Sequence, residues 1–166
     1  MKVRPKYNFV DSKLARGCYV YSPIKLLQMK NNGINQVIDL RKDTNCAQKL
    51  EKFFCKLIGL NYINCPLSFR DKNFVGKDFF LNINKLIAEN IGKTYIHCKK
   101  GKHRTGLCVA AYEKEVLKKN DNEVLQSILS SGFDELITNP SRKSLANAIT
   151  NFSKIFDLNW KKTITA

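Results

Sequence analysis

The chain has 166 residues, with 29 Lys and Arg against 14 Asp and Glu for a formal net charge of +15. That length suits a single domain over 1–166 with a real core at about 7–157, and the charge favours encounters with polyanions such as nucleic acid, anionic lipid or polyphosphate. The opening MKVRPKYNFV lacks the apolar run of about 7 residues that a signal peptide needs, and no segment approaches the about 18 apolar residues of a membrane span; a soluble, cytoplasmic protein without a transmembrane segment is expected.

Residues 7 to 21 alternate weakly and predict one or two edge strands. Ser22 is placed to cap a helix with Pro23 in its first turn, lined by Ile24, Leu26, Leu27 and Met29 and ended by Asn32-Gly33. Val37 to Leu40 reads as a short buried strand. Thr44 is placed to cap a second helix carrying Leu50, Phe53, Phe54, Leu57 and Ile58, closed by Gly59, and Tyr62 to Cys65 follows as a strand. Pro66 to Gly76 has turn residues and charges without period and predicts a loop.

Lys77 to Asn90 repeats Phe80, Ile83, Leu86 and Ile87 at helical spacing and leads into a strand at Thr94 to His97. A loop then opens a helix expected to reach about Lys119. Asp121 or Asn122 starts a short helix with Val124, Leu125, Ile128 and Leu129, and Pro140-Ser141 opens a last one with Leu145, Ile149, Phe152 and Ile155. Strands alternating with helices of this length predict an α/β fold: a central, mainly parallel sheet of four to five strands flanked by helices.

Chemistry concentrates between Tyr95 and Tyr112, in YIHCKKGKHRTGLCVAAY. A strand delivers Cys98 into a loop that becomes a helix near Arg104. Such a junction turns unpaired backbone N–H groups toward one point, where the helix dipole adds roughly half a positive charge and anions bind. A cysteine held there ionises more readily than a free thiol with its pKa of about 8.5, so Cys98 is the candidate nucleophile. Arg104 offers a planar fork of donors matched to two oxygens of a phosphoryl group. Thr105 can bring a hydroxyl near the sulfur and help it leave, and Gly101 supplies either a positive φ or a close backbone approach to the ligand.

His97, Cys98, Gly101, Arg104, Thr105 and Gly106 complete the pattern HCxxGxxR[ST]G, in which the chain resembles the cysteine-dependent protein tyrosine and dual-specificity phosphatases. That resemblance implies a dual-specificity-phosphatase-like fold and hydrolysis of phosphate monoesters through a cysteinyl-phosphate intermediate, with no cofactor. Asp39 and Arg41, in VIDLR, resemble a recurrent feature of bacterial, plant and fungal members, and Arg16 in LARG resembles their R-x-G segment. Arg41 has two open readings, a structural partner for a carboxylate or a group facing substrate. Cys18, Cys46, Cys55, Cys65, Cys98 and Cys108 include no C-x-x-C pair, and with only His97 and His103 beside them no metal site is expected.

A leaving alkoxide needs a proton, and a positioned carboxylic acid contributes roughly 10²–10⁴-fold. Two aspartates are available. Asp71 lies in the loop after Cys65, close to where the family's mobile acid comes, and is the favoured general acid; Asp78, near a helix start, is the alternative.

From Asn90 to Tyr112 there are five basic residues, Lys93, Lys99, Lys100, Lys102 and Arg104, and no acid. One phosphate needs Arg104 and the backbone. The surplus at Lys99, Lys100 and Lys102, with His103 beside them, suits further phosphates on the same substrate. HCKKGKHRTG looks like the loops of phosphoinositide 3-phosphatases and still more like those of plant and fungal inositol-pyrophosphate phosphatases, implying an inositol phosphate or phosphoinositide substrate. A phosphoprotein phosphatase, an RNA 5′-phosphatase and a non-catalytic phosphate-binding module are the competing readings, nucleic acid being the less favoured partner.

Overall fold

A computed structural model describes residues 7–42, 46–68, 74–134 and 142–159. These fall into two compact units, Met1–Leu67 with Leu86–Gly101, and Ser68–Lys85 with Lys102–Ala166.

The first unit carries the sheet. Its strands are β1 (Tyr7–Phe9), β2 (Leu14–Cys18), β3 (Ile34–Asp39), β4 (Asn61–Asn64) and β5 (Lys93–Cys98), in the order β1-β2-β5-β3-β4. All neighbours run parallel except β1 with β2. This is the mainly parallel α/β sheet expected from the alternation of strands and helices. Only β1 of the N-terminal pair is an edge, because β2 takes β5 as its second partner, with Cys18 opposite Cys98. Parallel pairing brings the carboxyl ends of β3, β4 and β5 to one edge of the sheet, where ligands bind in such folds. Backbone bonds from Leu40 N–H to His97 O (2.9 Å) and Leu67 N–H to Leu40 O (3.1 Å) tie the segments leaving that edge.

Helices α1 (Pro23–Asn31) and α2 (Cys46–Ile58) pack on each other, with α1 also against β3 and α2 against β4. Ser22 stands at the N-cap of α1, but its hydroxyl makes no capping bond. The apolar spacing overstates what α1 buries, since Leu26 and Met29 face the core while Ile24 and Leu27 are exposed. In α2 the difference is larger. The buried residues are Gln48, Glu51 and Cys55, Phe54 and Ile58 pack partly buried against the core, and Leu50, Phe53 and Leu57 face outward. The physical reason is a set of polar partners inside the unit, described below, which Gln48 and Glu51 reach only from that rotation of the helix. Thr44 lies outside the described residues.

Helix α3 (Lys77–Glu89) buries Phe80, Ile83 and Ile87, as its spacing predicts. In the second unit Phe80 meets Phe152 and Phe156 edge-on, at 5.2 and 5.6 Å between centroids. Helix α4 (His103–Glu115) is buried from Thr105 to Glu113, and it packs against α5 (Asp121–Ile128) and the π-helical turn Leu129–Phe133. It stops at Glu115, short of Lys119, and Lys118 has a positive φ of 55°. Asn120 caps α5 in a reciprocal capping box with Glu123. The last helix, α6 (Lys143–Ile155), buries Leu145, Ala148, Ile149 and Phe152; the predicted start at Pro140-Ser141 lies outside the described residues.

Candidate active site

Cys98 is the last residue of β5, the central strand of the sheet, and is almost fully buried. Four residues separate it from His103, the first of α4. Lys99 and Lys100 are exposed. Gly101 has φ +68°, and a Cβ built on it would lie 2.3 Å from the backbone C and O of Gly17 and 2.8 Å from the Cys18 nitrogen. The positive φ anticipated for this glycine is present, and the close approach is to the backbone of β2. Arg16 Nη2 donates to the Gly101 carbonyl at 2.9 Å, so β2 grips the loop twice, by a side chain from Arg16 and by contact at Gly17.

Beneath Cys98 the first unit holds a buried cluster of charged and aromatic groups. His97 is fully buried and stacks on Tyr95 with centroids 5.4 Å apart. Its Nδ1 lies 3.3 Å from the Cys98 carbonyl, and its Nε2 lies 3.4 Å from Glu51 Oε1. Asp39, opposite His97 in the β3–β5 ladder, accepts from Arg41 Nε at 2.9 Å, from Arg41 Nη2 at 2.7 Å and from the Tyr62 hydroxyl at 2.6 Å. Arg41 Nη2 also donates to Glu51 Oε2, and the other Glu51 oxygen accepts from the Val20 backbone N–H at 2.7 Å. Arg41 is thus buried between two carboxylates, with Tyr19 5.0 Å beneath its guanidinium. The ligand atoms of Asp39, Glu51 and His97 lie within 4.8 Å of one another, near enough for a metal ion, but the guanidinium already supplies the positive charge across both carboxylates.

Burial pushes the Asp39 carboxyl upward, yet the Arg41 hydrogen bond, the His97 charge and the Tyr62 hydroxyl outweigh it and leave Asp39 below the usual carboxylate range. Glu51 goes the other way. Burial lifts it to about 7, with Asp39 adding to the rise and the Val20 N–H and Arg41 opposing it. An acid raised in the folded state from an ordinary value of 4.5 contributes stability that is complete below that value and is lost as pH climbs through about 7, on the order of 3 kcal/mol for a shift of this size. Glu51→Gln, neutral throughout, is expected to flatten the stability profile between those two pH values. Urea denaturation midpoints that fall with pH as steeply in the variant as in the parent would contradict this.

In the second unit, Lys102 is exposed and leads into α4, whose first turn contains His103, Arg104 and Thr105 and no acid. His103 Nε2 lies 3.0 Å from the Gly132 carbonyl, and its ring meets Phe133 edge-on at 5.2 Å. Gly132 has φ +108°, and a Cβ there would crowd Lys102 Cδ (3.1 Å) and His103 Nε2 (3.2 Å). Arg104 is half-buried. Thr105 is fully buried, and its hydroxyl has no hydrogen-bond partner among the described residues. Gly106 follows inside the buried face of α4. Of the two candidate acids, Asp71 lies outside the described residues and Asp78 is exposed in the first turn of α3.

Sequence reasoning missed Glu51, Tyr62 and the Gly132 contact with His103. Glu51 had one faint signal: it is the only acid of α2, set among Lys49, Lys52 and Lys56.

Searches by sequence return no family model and no curated protein that matches the chain. Structures do match. TpbA of P. aeruginosa superposes with a TM-score of 0.68 at 17% identity, over 96% of this chain and 88% of the other. The chain shares that α/β fold. The same architecture recurs in the core catalytic domain of the PP-IP phosphatase SIW14 from S. cerevisiae, solved with citrate (TM-score 0.62, 15% identity, 76% of each chain). It recurs again in Tk-PTP in its active form (TM-score 0.64, 16% identity, 90% of this chain and 97% of the other). TpbA has also been solved in complex with pTyr.

Proposed function

We propose that this protein is a phosphatase that hydrolyses phosphate monoesters through a cysteinyl-phosphate intermediate at Cys98. The observation that carries the reading is a cysteine at the end of the central strand of a phosphatase-like sheet, with four residues between it and a helix whose first turn contains Arg104. The Cys98 thiolate attacks phosphorus in line with the departing oxygen. Arg104 holds two equatorial oxygens, while backbone N–H groups of residues 99–104 stabilise the charge shared among them. Asp71 protonates the leaving alkoxide and then takes a proton from the water that attacks the phosphocysteine. The Thr105 hydroxyl, buried and with its donor available, supports the thiolate as it leaves in the second step.

The substrate we infer is multiply phosphorylated, an inositol phosphate or a phosphoinositide. Support comes from exposed Lys99, Lys100 and Lys102 beside the nucleophile, and from the likeness of the fold to a PP-IP phosphatase. The likeness to a protein that binds pTyr keeps a phosphoprotein substrate as the second reading. Joint replacement of Lys99 and Lys102 by Ala separates the two. On an inositol polyphosphate KM is expected to rise about tenfold or more, with a shallower dependence on ionic strength, while p-nitrophenyl phosphate is turned over almost as before. Equal losses on both substrates would assign the lysines to the cysteine and return the protein to the phosphoprotein class. Parallel assays on a phosphotyrosine peptide and a triphosphate-ended RNA test the remaining alternatives.

A further inference from the structure

The outward face of α2 is not explained by the folding of the first unit. An amphipathic helix ordinarily turns its apolar residues inward. Here Gln48, Glu51 and Cys55 go inward with Phe54 and Ile58 partly buried beside them, and Leu50, Phe53 and Leu57 form an outward stripe, with Phe53 58% and Leu57 70% exposed. These residues follow one another at spacings of three and four, so they share a face over about 10 Å of helix. Lys49, Lys52 and Lys56, at the same three-then-four spacing, are exposed along one flank of that stripe. Helix α1 adds exposed Ile24 and Leu27, with Lys25 between them in sequence. Lys30 Nζ donates to the Ile58 carbonyl at 2.6 Å and fastens α1 to the end of α2. The only acid of the two helices is Glu51, which is fully buried against Arg41.

We propose that α1 and α2 form a docking surface for an anionic lipid bilayer, with Leu50, Phe53 and Leu57 entering the headgroup region and Lys25, Lys49, Lys52 and Lys56 meeting the negative headgroups. Charge decides the occupant. A second copy of the chain would bring the same +15 and the same lysines, so like charges would oppose the apolar contact. A convex apolar stripe flanked by lysines and free of exposed acids matches a helix lying in the plane of a membrane interface, where the apolar face sinks and the lysine stems reach back to the surface. Peripheral binding is what the fold allows, since among the described residues no helix is long and apolar enough to cross a membrane. The surface lies apart from Cys98 in the sequence and goes beyond the proposed reaction.

The test is co-sedimentation of the full chain with vesicles of phosphatidylcholine alone and of phosphatidylcholine with about 30 mol per cent phosphatidylserine. Strong partition onto the second and weak partition onto the first is expected. Phe53→Ser with Leu57→Ser, which leaves the charge unchanged, should lower the partition coefficient about tenfold or more. Lys49→Gln, Lys52→Gln and Lys56→Gln together should lower it comparably and reduce its salt dependence. Melting curves report that both variants fold, and Phe53→Trp gives an independent reading, an increased blue shift of emission over the parent on adding the anionic vesicles. Undiminished binding by the Ser variant would reduce the effect to net charge and overturn the proposal. So would equal binding to both vesicles, no shift with Phe53→Trp, or a Phe53-dependent dimer without lipid.

Discussion

Cys98→Ser is expected to abolish turnover while leaving phosphate binding in place. A serine hydroxyl is far less acidic than a thiol and is a poor leaving group from phosphorus, so both chemical steps fail together. A loss of at least about a thousandfold in kcat corresponds to ~4 kcal/mol of activation free energy, at 1.36 kcal/mol per decade. Binding should persist because its elements are elsewhere: the Gly101 loop stays clamped by Arg16, Arg104 stays on α4, and Cys98 is replaced by a residue of nearly its own size. Isothermal titration with inorganic phosphate reads the second half of the prediction and steady-state kinetics the first. A variant retaining more than a few per cent of wild-type kcat would remove the covalent mechanism, and one that also lost phosphate binding would show that the sulfur itself holds the loop.

The strand, loop and helix around Cys98 were legible because each boundary is local. A β-branched and aromatic run ends at a cysteine, a glycine stands where the chain must turn, and an apolar run follows. The sheet was legible as a class for the same reason. Its order was not, since nothing local in LARGC says that β2 pairs with β5 and sets Gly17 against Gly101. The rotation of α2 is the sharper case. Its apolar residues divide: Phe54 and Ile58 pack on the core, while Leu50, Phe53 and Leu57 point away from it, because Glu51 and Gln48 answer to Arg41, Val20 and His97 from other elements. A periodicity argument weighs only the hydrophobic term along one helix. Here a buried guanidinium between two carboxylates outweighed it, as the cost of leaving one member of such a group unpaired is severe. Arg41, open between two readings from sequence, is occupied in the structure by Asp39 and Glu51.

Gly101→Ala should damage the site severely. The backbone at Gly101 sits at φ +68°, where a Cβ is strained in any surroundings, and this Cβ would also lie 2.3 Å from the Gly17 carbonyl carbon and oxygen. Those atoms cannot yield cheaply, because Gly17 is held in β2 between Tyr7 on one side and His97 on the other. The loop must move instead, and moving it breaks the 2.9 Å bond from Arg16 to the Gly101 carbonyl. Strain of roughly 1–3 kcal/mol should appear as a melting temperature several degrees lower. A shift of about 1 Å in the backbone between Cys98 and Arg104 should cost on the order of a hundredfold in kcat/KM. Gly76→Ala is the matched control: nothing lies within 4 Å of its Cβ position, so it should leave both quantities unchanged. If Gly101→Ala melted and turned over like that control, the grip of β2 on the loop would be incidental to catalysis. If it kept its melting temperature but lost activity, the strain would be absorbed locally and the geometry of the loop alone would set the rate.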